Sequence, residues 1–302
     1  MLKRIYTKIK TDGLTSLLDH VYRCVVPYKL DKYKRYYEYF DSKKGLEIGG
    51  PSGCFTPKGL FPVYSMASQI DNCNFSHQTI WEREIREENG FSFNPTKPPG
   101  TQYIAEAADL TFIGDETYDF VISSHCIEHL ANPLRGLSEW TRVLKTNGMI
   151  LLIVPHKNGT CDRFRPITTL QHLIQDYQQA VTESDLTHLE EVLSLHDFTK
   201  ESFSRSSYRE MVLNNYSTRS IHHHVFDTYT AIEMMDYMQL RIHRVVPFRP
   251  FHIAIFAQKA DTFPVDNRMI FEAFFAGTLK SPFPADKMRQ KQKSPKSKSA
   301  EE

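Results

Sequence analysis

The chain has 302 residues, and 37 Lys and Arg against 36 Asp and Glu leave a formal charge of +1. That length allows one large domain with a sizeable insertion, and the balanced charge gives no basis for a nucleic-acid partner. The five cysteines are scattered without a C-x-x-C pair, and no apolar run reaches membrane-spanning length. Reduced thiols and a cytoplasmic protein without a signal peptide are expected.

Residues 1–43 form a basic extension in which Ile5, Ile9, Leu14, Leu17, Leu18, Val21 and Val25 recur at roughly helical spacing. Two readings stay open for it. It is a helix capping the sheet, or a peripheral contact with the inner membrane surface through its basic amphipathic face. A domain over 44–260 follows. Residues 45–48 read as a short strand, which breaks into Gly49-Gly50-Pro51-Ser52-Gly53. Glycines after a strand permit a tight turn and close backbone approach to a ligand. A second strand is expected to end at Asp71, about 20 residues beyond the glycines, where a carboxylate can accept hydrogen bonds from a ribose.

A third strand is expected over 102–109, ending in an acid, and a buried one over Tyr118–Ser124. Ile127, Leu130, Leu134, Leu137, Trp140, Val143 and Leu144 then recur at helical spacing, so 126–145 reads as a helix stopped by Asn147-Gly148. Residues 149–155 form a fifth strand. A helix over 228–238 and a strand pair over 241–246 and 252–258 close the domain. Strands alternating with helices imply right-handed crossovers and a ligand site at the strands' carboxyl ends.

Taken together, these motifs resemble the class I S-adenosylmethionine-dependent methyltransferases. Glu47-Ile48-Gly49-Gly50-Pro51-Ser52-Gly53 stands where that family has E-x-G-x-G-x-G, with Pro51 replacing the middle glycine. Asp71 matches the ribose acid, and Ala108-Asp109-Leu110 the step beside the adenine. The run from Tyr118 through Ser124 to Leu130 matches the fourth-strand motif, and Arg142-Val143-Leu144-Lys145 its continuation. The resemblance implies an α/β, Rossmann-like fold. Its sheet would be seven-stranded and mostly parallel, with helices on both faces and a largely helical insertion between strands 5 and 6. It also implies that Glu47, Gly49, Gly50, Pro51, Gly53, Asp71, Asp109, Leu110 and Ser124 hold S-adenosylmethionine.

Residues 157–220 are the expected acceptor-recognition insertion. The segments Val154-Pro155-His156, 161–169 and 172–177 resemble methyltransferases found with glycosyltransferases in bacterial surface-polysaccharide pathways. That resemblance implies O-methylation of a saccharide or glycolipid hydroxyl, with a glycosyltransferase as candidate partner. An aromatic or quinone-like acceptor, or a non-catalytic cofactor-binding partner, are the alternatives. Attack by a weakly acidic hydroxyl calls for a base. His156 ranks first, His125 second, and Asp162 or His172 third. Arg163, Arg165, Tyr177 and, from the run His222-His223-His224, His223 are the candidate acceptor contacts.

Single residues within this group have bland readings as well, such as His172 paired with Asp176 one helical turn away. His125-Cys126-Ile127-Glu128-His129 formally matches a zinc-peptidase pattern but follows a buried strand, and no metal is assigned. Residues 261–287 form a C-terminal extension, and 288–302, nearly all Lys, Gln, Ser, Pro and Glu, a disordered tail.

Overall fold

A computed structural model describes residues 29–81, 84–200 and 204–292. The amphipathic run at 5–25 and the tail from 293 lie outside them. Seven strands form one sheet: β1 (Lys44–Ile48), β2 (Gln69–Asn74), β3 (Gln102–Ile104), β4 (Tyr118–Ser124), β5 (Leu144–Pro155), β6 (Leu240–Phe248) and β7 (His252–Lys259). Their order is β3-β2-β1-β4-β5-β7-β6, and only β7 runs antiparallel to its neighbours. The Rossmann-like sheet is thus as expected. The order reverses between β1 and β4, where such sheets place their ligand crevice.

Central strands buried on both sides need near-continuous apolar runs, and Phe120, Val121 and Ile122 pack beside Ile150, Leu151 and Leu152, all fully buried. One face carries helices α1 (Pro133–Val143), α2 (Leu170–Gln178), α5 (Thr228–Tyr237) and α6 (Arg268–Phe275), while α3 (Leu189–Leu195) and α4 (Arg205–Leu213) pack on each other in a separate small cluster. The other face is covered differently. A 3₁₀ helix over Asp31–Tyr39 lays Tyr36 flat on Phe256 at 4.5 Å between ring centroids, and Phe40 and Phe61 close around Phe120.

Several element boundaries differ from expectation, three of them as follows. The segment 126–145 is a 3₁₀ turn at Ile127–His129, a break, and then α1. Pro133 disfavours a helical residue before it, and the Asn132 side chain instead accepts a hydrogen bond from the Arg135 amide as N-cap. Helix α1 stops at Val143, and Asn147 (φ +63°) turns the chain within the irregular start of β5. β3 ends at Ile104, so Glu106 and Asp109 lie beyond the sheet.

The carboxyl end of β5 is covered from far along the chain. Helix α7 (Pro284–Gln290) carries the buried Asp286, which accepts from the Thr228 amide at 3.0 Å, the Thr228 hydroxyl at 2.5 Å and the Ser281 hydroxyl. Asp286 also meets His156 Nε2 at 3.1 Å. Residues 288–290, expected within the disordered tail, belong to this helix. Asp286→Ala should lower stability in urea melts by about 1–3 kcal/mol by stranding these donors, with cofactor affinity unchanged. Unaltered stability would mean that α7 is held by other contacts.

Candidate functional site

The loop after β1 is built by buried polar groups rather than by glycine alone. Glu47, fully buried at the end of β1, accepts from the Ser52 amide at 2.9 Å and from the Tyr64 hydroxyl at 2.6 Å. From β2, Asn72 Oδ1 accepts from the Gly50 amide, while Asn72 and Asn74 both donate to the Gly50 carbonyl at 3.2 and 2.9 Å. Gly49 is left-handed (φ +78°), and a Cβ on Gly50 would lie 2.3 Å from the Glu47 carboxyl carbon. Neither position admits a side chain without strain or displacement. Burial pushes the Glu47 carboxyl up to about 8, against the opposing pull of Tyr64 and Ser52.

This loop borders a cavity of about 280 Å³ at the carboxyl ends of β1, β2 and β4. Gly49, Gly50, Pro51 and Gly53 line one side, Asn74 and Phe75 another, and Ser124, His125 and His129 a third. Glu106 completes it and pairs with Arg219, whose guanidinium also meets Glu183 at 3.2 Å. A Cβ on Gly53 would meet nothing within 4 Å, so the chain leaves open space there for a ligand.

A second chamber of about 430 Å³ shares Trp81, His125 and His129 with the first. It also contains Glu128, Thr160, Asp162, Ser220 and His222. His222 Nδ1 lies 2.5 Å from Asp162 Oδ2, and Arg165 holds the other carboxylate oxygen at 2.8 Å. Burial would raise the Asp162 carboxyl, but His222 and Arg165 outweigh it and hold it well below the usual range. Burial likewise opposes charge on His222, yet Asp162 prevails and its pKa is raised. Between the chambers, burial lifts Glu128 to about 7, and its Oε2 has no hydrogen-bond partner. A glycine cradle at a strand end, an acid beside it and a histidine–aspartate pair one wall away suit group transfer from a nucleotide-like donor.

The protein family described as Methyltransferase domain matches residues 48–152, which run from the last residue of β1 into β5 and include most of the residues lining the first cavity. Over about a third of its length the chain thus matches a methyltransferase domain. No curated protein matches the chain. Among solved structures it is similar to an S-adenosylmethionine-dependent methyltransferase from Aquifex aeolicus, at 13% identity and a TM-score of 0.44, covering 85% of this chain and 98% of that one. Another such enzyme, from Mesorhizobium loti, is similar at 11% identity and a TM-score of 0.44, covering 82% and 99%.

Sequence and structure disagree at several expected positions. Asp71 is fully buried mid-strand, accepting from the Tyr118 hydroxyl and the Thr101 amide at 2.8 Å each and pairing with Lys44. It binds strands together and does not reach the cavity, because β2 continues to Asn74. Asp109 turns onto Thr111 and lines a neighbouring cavity with Tyr177, while Leu110 is buried in the core. The early end of β3 brings Glu106 to the cavity instead. Glu47 shapes the loop from behind rather than lining the cavity.

His156, ranked first as base, is fully buried, stacked on Phe283 and bound to Asp286, outside both chambers. His125, with φ +52°, stands at their junction and bonds His252 at 2.9 Å. Asp162 lines the second chamber, whereas His172 lies apart, 3.2 Å from His188. Arg165 is buried and committed to Asp162, Glu191 and the His222 carbonyl, and Arg163 pairs with Asp197. Neither guanidinium stands in the second chamber. Of the three consecutive histidines, His222 faces it, and His223 is buried against Asn215.

The Glu47 carboxyl has a measurable consequence. Its ordinary value is 4.5 and its folded value about 8, so across that interval the folded state holds the extra proton. The contribution of this group to stability should therefore fall as pH rises from 4.5 towards 8. Glu47→Gln, which keeps an acceptor for Ser52 and a partner for Tyr64, should flatten that slope in urea melts at about pH 5 and pH 8. An unchanged slope would assign the titration to another group.

Proposed function

We propose that this enzyme transfers the methyl group of S-adenosylmethionine to a hydroxyl oxygen of a saccharide or glycolipid. The supporting observation is the His222–Asp162 pair in the chamber that opens beside the cofactor cavity. The cofactor supplies an already activated methyl group, which leaves the protein to bind, orient and deprotonate the acceptor. His222, held by Asp162 through Nδ1, takes the hydroxyl proton at Nε2, and Asp162 stabilises the resulting imidazolium. Such a positioned base contributes about 10²–10⁴-fold. Thr160, Ser220 and Glu128 offer directed polar groups to a polyol, and the half-exposed Trp81 offers an apolar ring face. On the cofactor side, Asn74 and Glu106 receive the adenosine, and the 49–53 loop the amino-acid end.

A second reading is favoured by one cluster. Ligand atoms of Glu128, His129 and His222 lie within 4.8 Å of one another, an arrangement suited to a metal-assisted aromatic or quinone-like acceptor. Incubation with S-adenosylmethionine and either a glycolipid extract or a set of catechols separates the two. Methyl gain on a saccharide by mass spectrometry supports the first, and product from catechols alone, lost on chelation, overturns it.

Two outcomes test the residue roles. The rate of kcat/KM should climb with pH through the raised His222 pKa, above its ordinary 6.5, because the base must be unprotonated. Asp162→Asn should move this limb to lower pH and His222→Gln should remove it. A limb that survives His222→Gln but not Glu128→Gln would transfer the role to Glu128. In calorimetry, Asn74→Ala and Glu106→Ala should each weaken cofactor binding by about 1–3 kcal/mol. Asp71→Ala should lower the melting temperature instead; the reverse pattern would return the cofactor contact to Asp71.

A further inference from the structure

Away from both chambers, three stretches of chain converge on a group of imidazoles. Helix α2 brings His172 and Asp176, the segment before α3 brings His188, and the segment before α5 brings His224. Ring nitrogens of the three histidines lie within 4.8 Å of one another. His172 Nε2 stands 3.2 Å from His188 Nε2 and 3.3 Å from Asp176 Oδ2.

These spacings have a chemical meaning. Ligands about 2.0–2.1 Å from a tetrahedral zinc ion are about 3.3–3.4 Å from each other. Unassisted, the cluster is poorly satisfied. Asp176 Oδ2 and His224 Nδ1 are buried without a hydrogen-bond partner, although such atoms ordinarily find one. His224 is 1% exposed. Its Nε2 touches the Ala131 carbonyl at 3.2 Å, an acceptor only, so that nitrogen bears the proton and Nδ1 keeps its lone pair. A backbone carbonyl on one ring nitrogen is also how metal-binding histidines are commonly oriented. The positive Arg165 nearby is already neutralised by Asp162 and Glu191.

We propose that His172, Asp176, His188 and His224 form a structural zinc site. Three neutral imidazoles and one carboxylate suit zinc better than calcium or magnesium, which favour all-oxygen shells. The His172 side chain is 38% exposed, which gives the ion a path in from solvent. The site would pin the wall of the cofactor cavity, because Glu183 lies between Asp176 and His188 in the chain and pairs with Arg219 across that cavity. It is independent of the acceptor assignment and of the Glu128–His129–His222 cluster.

The test is metal binding by the full chain. After dialysis against a strong chelator, the protein is titrated with zinc chloride, and bound zinc is counted by elemental mass spectrometry. One zinc per chain is expected, together with a higher melting temperature. His172→Ala and His188→Ala, both at partly exposed positions, should weaken uptake by at least about tenfold with unchanged circular dichroism, while His222→Ala retains it. Cobalt in place of zinc should give the intense visible bands of a tetrahedral ion in wild type but not in His188→Ala. Failure of the wild-type protein to bind zinc stoichiometrically would overturn the proposal and leave His172 and His188 as a hydrogen-bonded imidazole pair. Equal binding by wild type and both variants would overturn it too, by placing the ion elsewhere.

Discussion

The glycine-loop side of this protein depends on a carboxyl group that never meets solvent. Glu47 ends β1, and by holding the Ser52 amide and the Tyr64 hydroxyl it dictates the path of the glycine loop. Asn72 and Asn74 clamp Gly50 from the adjacent strand, and Gln102 on β3 joins the same amide network at 2.9–3.0 Å. Buried polar networks are favourable only when their members are satisfied. The loop is therefore stiff because three parallel strands stand in register beneath it, and the sheet order is part of the binding site.

On the second-chamber side the chain uses a different device. Little of that wall belongs to the sheet. Thr160, Asp162, Ser220 and His222 come from connecting segments, locked by the buried Arg165, which reaches Asp162, Glu191 and the carbonyls of His222 and His223. An arginine spent in this way is a positioning residue, and its fork of five donors explains why one side chain can fix so many partners.

Much of the fold was legible because parallel strands write themselves as unbroken apolar runs, as at 118–124 and 149–155. β2 was not, since Asp71, Asn72, Cys73 and Asn74 are buried yet mostly polar, and period and hydropathy offered no sign that the strand continued past Asp71. In consequence Asn74 and Glu106, which line the first cavity, carried no sequence signal. His222 had no separate signal either: three identical residues in succession differ only in where the backbone points them. His156 misled for another reason. Its place after β5 was read correctly, but the residues that bury it arrive 130 positions later.

That last contact bears on how the protein comes into being. On a ribosome, β5 and its His156 emerge long before Ser281, Phe283 and Asp286. Until they follow, His156 Nε2 and the Thr228 amide lack the Asp286 carboxylate that they meet in the folded chain. The end of the sheet beside the second chamber can be sealed only once nearly the whole described chain is available. Vectorial synthesis thus acts as a check on completeness: a nascent chain arrested before α7 would carry the glycine loop and the His222–Asp162 pair on a sheet edge still open to solvent, and to proteases.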